Sequence, residues 1–308
     1  MAFDSPRRRA ADKVTHHDPA VWRPAVVTVL RAELRELGDP DRDTIDAMVD
    51  ADPVGQCVFG ARMARAATLT AFDLGGHLWG VDGADGVEAA CFAGGNLMPL
   101  GGSAAALSAI GEQLGRRPRT WSSVVGREAD VSALWSAVGD GWGRPRALRM
   151  DQPLLLATEV GPVEPDPLVV RVGPRDLMRY LPAALAMFSE ELEIEPPPSG
   201  ANSPYRSRLA RLIAGGLALA RFDDDGRVLF KAEIAAVSSA CCQVQGVWVD
   251  PDHRNEGLGA AGMAAVIAYA LTLAPRVSLY VNDFNHAARR MYDRVGMNQI
   301  GTFATILF

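Results

Sequence analysis

The chain has 308 residues, 48% of them hydrophobic and 22% charged, with a formal net charge of −6 and a pI near 5.4. That length suggests about two domains of ordinary globular material, and the acidic balance argues against a broad nucleic-acid surface. The longest apolar helical pattern, Ala260 to Leu273, is too short and too Ala-rich for a membrane span, which takes about 20 residues.

Cys57, Cys91, Cys241 and Cys242 form no Cys-x-x-Cys, so buried, reduced thiols and a cytoplasmic setting are expected. Cys241 and Cys242 are adjacent and should face opposite sides of a strand. His16, His17, His77, His253 and His286 have no metal-ligand spacing, and no metal is expected. Arg7-Arg8-Arg9 has no apolar segment behind it, so residues 1–19 read as a polar, solvated tail and not as a signal peptide.

Ala25 to Leu37 has helical spacing and stops at Gly38-Asp39-Pro40. Thr44 to Ala51 and Val54 to Ala67 are further short helices. His77 to Val81 and Gly86 to Phe92 are paired strands around a turn-rich connection. Asn96 to Leu100 continues the apolar run to Gly101-Gly102. A helix over Ala104 to Leu114, a strand over Trp121 to Val125, a helix over Glu128 to Val138 and a strand over Arg146 to Ala157, interrupted at Pro153, complete the first half. Residues 158–167 hold three prolines, one glycine and three acids, which marks a linker between domains at 20–157 and 168–308.

The second half opens with a strand, Leu168 to Val172, and a helix, Leu177 to Glu191, with Asp176 as N-cap and Pro182 as a kink or break. An acidic, proline-stiffened loop runs from Glu190 to Pro198. Tyr205 to Ile213 is a helix carrying three arginines. Leu217 to Phe222, Val228 to Ser238 and Ala240 to Val249 are strands joined by tight turns. A helix (Gly257 to Leu273), a strand (Arg276 to Val281), a helix (His286 to Val295) and a strand (Met297 to Leu307) follow.

The strand ending at Val249 hands over to a helix N-terminus through Asp250-Pro251-Asp252-His253-Arg254-Asn255-Glu256-Gly257-Leu258-Gly259-Ala260. A helix N-terminus collects unpaired N–H groups and the positive end of the dipole, which make an anion site. Gly257 and Gly259 remove the Cβ atoms that would hold a diphosphate off the backbone, and Arg254 adds a fixed charge. There is no Gly-Lys-Ser/Thr and no third glycine at dinucleotide spacing, so neither commoner phosphate loop is present.

Arg254-x-x-Gly257-x-Gly259 after a Val247-x-Val249-x-Pro251 strand end resembles motif A of the GNAT (Gcn5-related) N-acetyltransferases. Asn285-x-x-Ala288-x-x-x-Tyr292-x-x-x-Gly296-Met297 resembles the family's motif B, with Met297 where Phe is usual. The element order of the second half is also the family's. The resemblance implies an α/β (α+β) fold with a mixed, mostly antiparallel sheet, splayed between its fourth and fifth strands. It further implies acetyl-CoA as donor, its diphosphate on residues 254–260 and its arm against Val247, Trp248 and Val249, with Asn282, Asn285, Ala288 and Tyr292 lining the site. Tyr292 would protonate the departing thiolate as general acid, and an N–H near Val247 would polarise the thioester carbonyl.

The family's usual Glu on the fourth strand is replaced by Gln243 and Gln245. Glu233 is the candidate base, beside Glu190, Glu191, Glu193 and a water chain. The acidic loop favours a cationic acceptor, a small-molecule amine or a protein lysine or N-terminus. No nucleic-acid or membrane partner is expected, and a homodimer is left open. The first half repeats the element order without the phosphate-loop residues. It is expected to be a degenerate GNAT-like domain, similar to a module fused to such domains in bacteria, with an unrelated α/β domain as the alternative. Two other functions stay open: an acyl-CoA sensor, and a transferase for a different acyl donor.

Overall fold

The computed structural model describes residues 33–192, 195–200 and 203–308. The expected tail (1–19), the first part of the Ala25–Leu37 helix and Glu193 lie outside the described residues. The end of that helix is corrected: Leu34–Glu36 is a strand, β1, antiparallel to β2 (His77–Gly83) with Leu34 opposite Val81. Pairing to a neighbour has overridden local helical spacing here.

The first half continues with helices α1 (Arg42–Ala51), α2 (Cys57–Met63) and α3 (Ala71–Leu74), and strands β3 (Gly86–Ala93) and β4 (Leu97–Gly101). Then come α4 (Ala104–Gly115), β5 (Ser123–Arg127), α5 (Glu128–Ser136) and β6 (Ala147–Ala157). The short α3 was not expected; Thr70 caps it through Asp73 N–H, and Gly75 at φ 68° closes it. The second half comprises β7 (Val170–Arg171), α6 (Leu177–Leu192), α7 (Pro204–Ala214), β8 (Ala218–Phe222), β9 (Val228–Val237) and β10 (Cys242–Val249). It ends with α8 (Leu258–Ala270), β11 (Val277–Tyr280), α9 (His286–Arg294) and β12 (Asn298–Leu307). Neither interior proline breaks its element. Pro182 lies within a continuous α6, where Tyr180, Leu181, Ala183 and Ala184 are buried around it. Pro153 lies within β6, where the pairing to β12 is already shifted in register nearby.

The strands form one sheet in the order β1-β2-β3-β4-β5-β12-β6-β11-β10-β9-β8-β7. Each half has one parallel pair at its centre. β4 meets β5 only at Leu97↔Val124, and β10 meets β11 only at Cys242↔Val277 and Gln243↔Ser278. Beyond those points both pairs splay, so the first half has the divided centre its degenerate GNAT-like reading requires. The final strands are exchanged between the halves. β12 pairs with β5 and β6, and β6 pairs with β11 through Leu155↔Leu279.

Helices cover both faces. In the second half α8 and α9 bury one face around Phe230, Met263 and Ile267, and α6 and α7 bury the other around Tyr180, Leu209 and Ile213. Cys242 belongs to the α8 face and Cys241 to the opposite core, so the adjacent pair does face both ways. All four cysteines are buried free thiols. The segment 158–167 is packed, not loose: Asp166 is buried and ion-paired to Arg221 at 2.7 Å, and a Cβ at Gly161 would collide with the Val295 carbonyl.

Candidate active site

The turn after β10 is built by its own residues. Asp250 accepts from Asp252 N–H at 3.1 Å, closing a single 3-10 turn over Pro251–His253. Asn255 follows at φ 67° and Gly257 at φ 87°, and α8 starts at Leu258. Among the described residues, the amides of Asn255, Glu256, Gly257, Leu258 and Gly259 have no hydrogen-bond partner. Five free N–H groups in alternating right- and left-handed backbone make an anion-binding concavity.

The two glycines of this turn do different work. A Cβ on Gly257 would meet nothing within 4 Å and would project into the open cradle. A Cβ on Gly259 would press on Met291 Sδ at 3.2 Å and Val249 Cγ2 at 3.3 Å. The missing side chain of Gly259 therefore serves helix-on-strand packing, while its amide remains one of the five free N–H groups. Ala260 is likewise buried in the α8 core. Arg254 stands at the cradle but is engaged: its Nη2 donates to Glu190 Oε2 at 2.6 Å and its Nε to the Val249 carbonyl at 3.2 Å. Glu190 Oε1 also accepts from Trp248 Nε1 at 3.1 Å, which turns the Trp248 side chain towards α6, away from the cradle.

β10 carries a β-bulge beside the splay. Gln245 pairs with Glu233 and Trp248 with Lys231, so Gly246 and Val247 both stand opposite Ala232. Gly246 takes φ 58° there. From Val244 to Val249 the β11-facing edge of β10 has no strand partner.

On the other wall, Asn285 caps α9 by accepting from Ala288 N–H at 3.1 Å. Ala288 is half-buried against the core. Asn282 accepts from Gln152 Nε2 at 2.9 Å, and Gln152 in turn accepts from Thr305 Oγ1 at 2.6 Å. The Tyr292 ring is buried in the core that lines the splay. Among the described residues its hydroxyl has no hydrogen-bond partner, yet the oxygen is not sealed from solvent. Burial, with the Glu191 charge adding to it, holds the phenol protonated beyond its ordinary range.

Glu233 is 1% exposed and saturated. Oε1 accepts from Lys231 Nζ at 2.9 Å and Tyr180 Oη at 3.4 Å, and Oε2 from Arg208 Nη1 at 3.2 Å and Gln245 Nε2 at 3.1 Å. Desolvation opposes its charge, but Lys231 and Arg208 outweigh that and hold the carboxyl below its ordinary range. A carboxylate with four donors and a depressed proton affinity is a poor base, so the geometry argues against the role expected for Glu233. Lys231, fully buried, has its proton affinity lowered by desolvation.

Glu191, the other expected acid on α6, lies near the end of that helix. Glu191 is exposed, and its charge acts on Tyr205, Tyr280 and Tyr292. Desolvation raises its proton affinity against the pull of Arg149 and Lys231. Sequence reasoning missed three contributors. Lys231 was signalled by its Lys-x-Glu spacing, which puts both residues on one face of a strand. Arg149, which donates to the Glu191 carbonyl at 2.8 Å, and Gln152 come from β6 of the other half and had no local signal.

Among the described residues no group of three His, Cys, Asp or Glu could hold a metal ion, and no helix is long and apolar enough to cross a membrane.

Residues 190–297 match the acetyltransferase (GNAT) family, and residues 76–180 match a domain of unknown function (DUF4081). No curated protein matches the chain. Among solved structures, a Drosophila protein is similar at TM-score 0.57 and 13% identity, covering 90% of this chain and 99% of its own. A GCN5-related N-acetyltransferase from Sphaerobacter thermophilus is similar at TM-score 0.52 and 16% identity, covering 89% and 94%. An acetyltransferase of the GNAT family from Colwellia psychrerythraea is similar at TM-score 0.50 and 10% identity, covering 90% and 99%. These likenesses span both halves and establish the fold.

Proposed function

From a GNAT-family match on residues 190–297 and a GNAT fold, we propose that this protein transfers an acetyl group from acetyl-CoA to an amine. One observation carries the reading: five unpartnered amides around Gly257, at φ 87° with open space where a Cβ would stand, lie beside the unpaired edge of β10. Acetyl-CoA supplies the activated acetyl thioester. Asn255 to Gly259 would bind its diphosphate, and Arg254 would join them once released by Glu190. The edge of β10 at Val247 and Val249 would pair with the amides of its arm, satisfying backbone groups that are otherwise costly to leave bare.

The chain's own residues then divide the chemistry. Backbone N–H at the Gly246–Val247 bulge donates to the carbonyl oxygen as it gains charge. Glu191 takes the proton from the incoming ammonium, leaving a nitrogen lone pair to form the new C–N bond. Tyr292 gives its proton to the sulfur as the C–S bond breaks. Glu233 anchors the acceptor face electrostatically. Holding donor and acceptor together supplies much of the acceleration.

The test is calorimetric titration with acetyl-CoA, followed by transfer of a labelled acetyl group to amines from a cell extract, read by mass spectrometry. Binding in the micromolar range with labelled amide products is expected; failure to bind acetyl-CoA ends the proposal.

A further inference from the structure

We propose that the acceptor is a small amine that also carries a carboxylate, and that Arg208 is the residue that recognises the acid group. The proposal rests on the transferase reading above and names its substrate class.

Two of the three described acids on α6 and β9 already have an assignment. Both oxygens of Glu190 are used, on Arg254 and Trp248. Both oxygens of Glu233 are saturated by four donors. Among the described acids of α6 and β9, that leaves Glu191 to meet an ammonium. Of the acids behind the expected cationic acceptor, Glu190 is thus engaged by its own neighbours.

The cations are in excess. Lys231, Arg208 and Arg149 face Glu233 and Glu191. When Glu191 accepts the acceptor's proton, that excess grows by one. Uncompensated charge beside the buried Lys231 and Glu233 is costly. A carboxylate brought in by the acceptor offsets it.

Of the two cations on Glu233, Arg208 is the one that is partly exposed and has unused donors. Two arginines elsewhere spend the guanidinium fork on acids: Arg127 grips Asp52 through two nitrogens at 2.6 Å, and Arg35 spans Asp41 and Asp82. Arg208 gives one N–H to Glu233 at 3.2 Å, and its side chain stays 38% exposed. Among the described residues its Nε and Nη2 have no partner, and they form the planar pair of donors that fits a carboxylate. The location suits the reaction. Arg208 reaches Glu233, Glu233 reaches Gln245, and Gln245 is the residue that enters the bulge. A single carboxylate oxygen, Glu233 Oε2, joins the guanidinium to the Gln245 side chain of the strand where transfer is proposed, which puts the arginine on the acceptor side within reach of a small amino carboxylate.

The test uses the full chain, acetyl-CoA, and matched probes: lysine, ornithine, glutamate and glycine, each against its carboxamide, with cadaverine and spermidine as amines lacking the acid. At least one amino carboxylate should be acetylated with kcat/KM ten or more times that of its carboxamide. Arg208→Gln should raise KM for that substrate tenfold or more, with kcat little changed and acetyl-CoA affinity by calorimetry intact; Arg208→Lys should recover part of the loss. Preference for carboxamides or polyamines, an unmoved KM in Arg208→Gln, or no turnover of any amino carboxylate overturns the assignment. Intact acetyl-CoA binding in such a case would leave the transferase reading standing, and lost binding would remove both.

Discussion

Glu190 and Arg254 are ion-paired at 2.6 Å, with the side chains 43% and 46% exposed, so the residue expected to greet the cofactor's phosphates is held by an acid from α6. Phosphate oxygens must displace that carboxylate to use Arg254. Glu190→Gln should therefore lower the dissociation constant for acetyl-CoA by about two- to fivefold, the size expected of an exposed charge contact. Titration calorimetry checks it, and the gain should shrink at high salt.

Tyr292→Phe removes one hydroxyl from a ring that is otherwise core. It should reduce kcat by roughly 100-fold or more, the usual scale for a general acid. Acetyl-CoA affinity and melting temperature should barely move. Unchanged turnover would exclude Tyr292 as the proton donor.

The pH dependence follows from Glu191. Desolvation raises its proton affinity, and a base works only when deprotonated. Activity should climb with pH through a value above the ordinary glutamate pKa of about 4.3 and fall on the acid side of it. Glu191→Gln should abolish that ascending limb. A limb that survives the substitution points to another base or to water.

Gly257→Val forces a β-branched residue to φ 87° and fills the cradle. The strain alone costs about 1–3 kcal/mol. Acetyl-CoA binding should weaken by about 100-fold or more while the far-ultraviolet circular dichroism spectrum stays that of the wild type. Retained affinity would remove the cradle from the cofactor site.

Gly262→Ala separates packing from function. Its Cβ would stand 2.7 Å from the Phe230 ring, across α8 and β9. Overpacking of this kind costs about 1–3 kcal/mol, so the melting temperature should drop by several degrees, about 2–4 °C per kcal/mol in a chain of this order of size. Differential scanning calorimetry reads it directly.

Much of the second half was legible because its signals are local. The cap at Asn285, the left-handed Gly257 and the alternating strands β8 to β10 each need only a few neighbouring residues. What escaped was long-range. Arg149 and Gln152 lie on β6, far in sequence from Glu191 and Asn282, and no spacing rule joins them. Glu233 looked like a free acid because sequence does not display the Arg208 side chain that saturates it from α7. Leu34–Glu36 was misread because edge pairing to β2 outweighs its helical spacing. The two glycines of the cradle looked equivalent in a motif, yet only coordinates separate the one beside open space from the one beside Met291.

The exchange of β6 and β12 also has a consequence for biosynthesis. β5 emerges early from the ribosome, but the strand that completes it, β12, spans Asn298–Leu307 in the other half of the chain. The first half cannot close its sheet as an independent nascent unit, and its bare β5 edge must wait through the translation of some 180 further residues, at about 5–20 residues per second. An unpaired edge is a template for wrong partners. Truncations near the C-terminus should accordingly damage the half of the molecule made first.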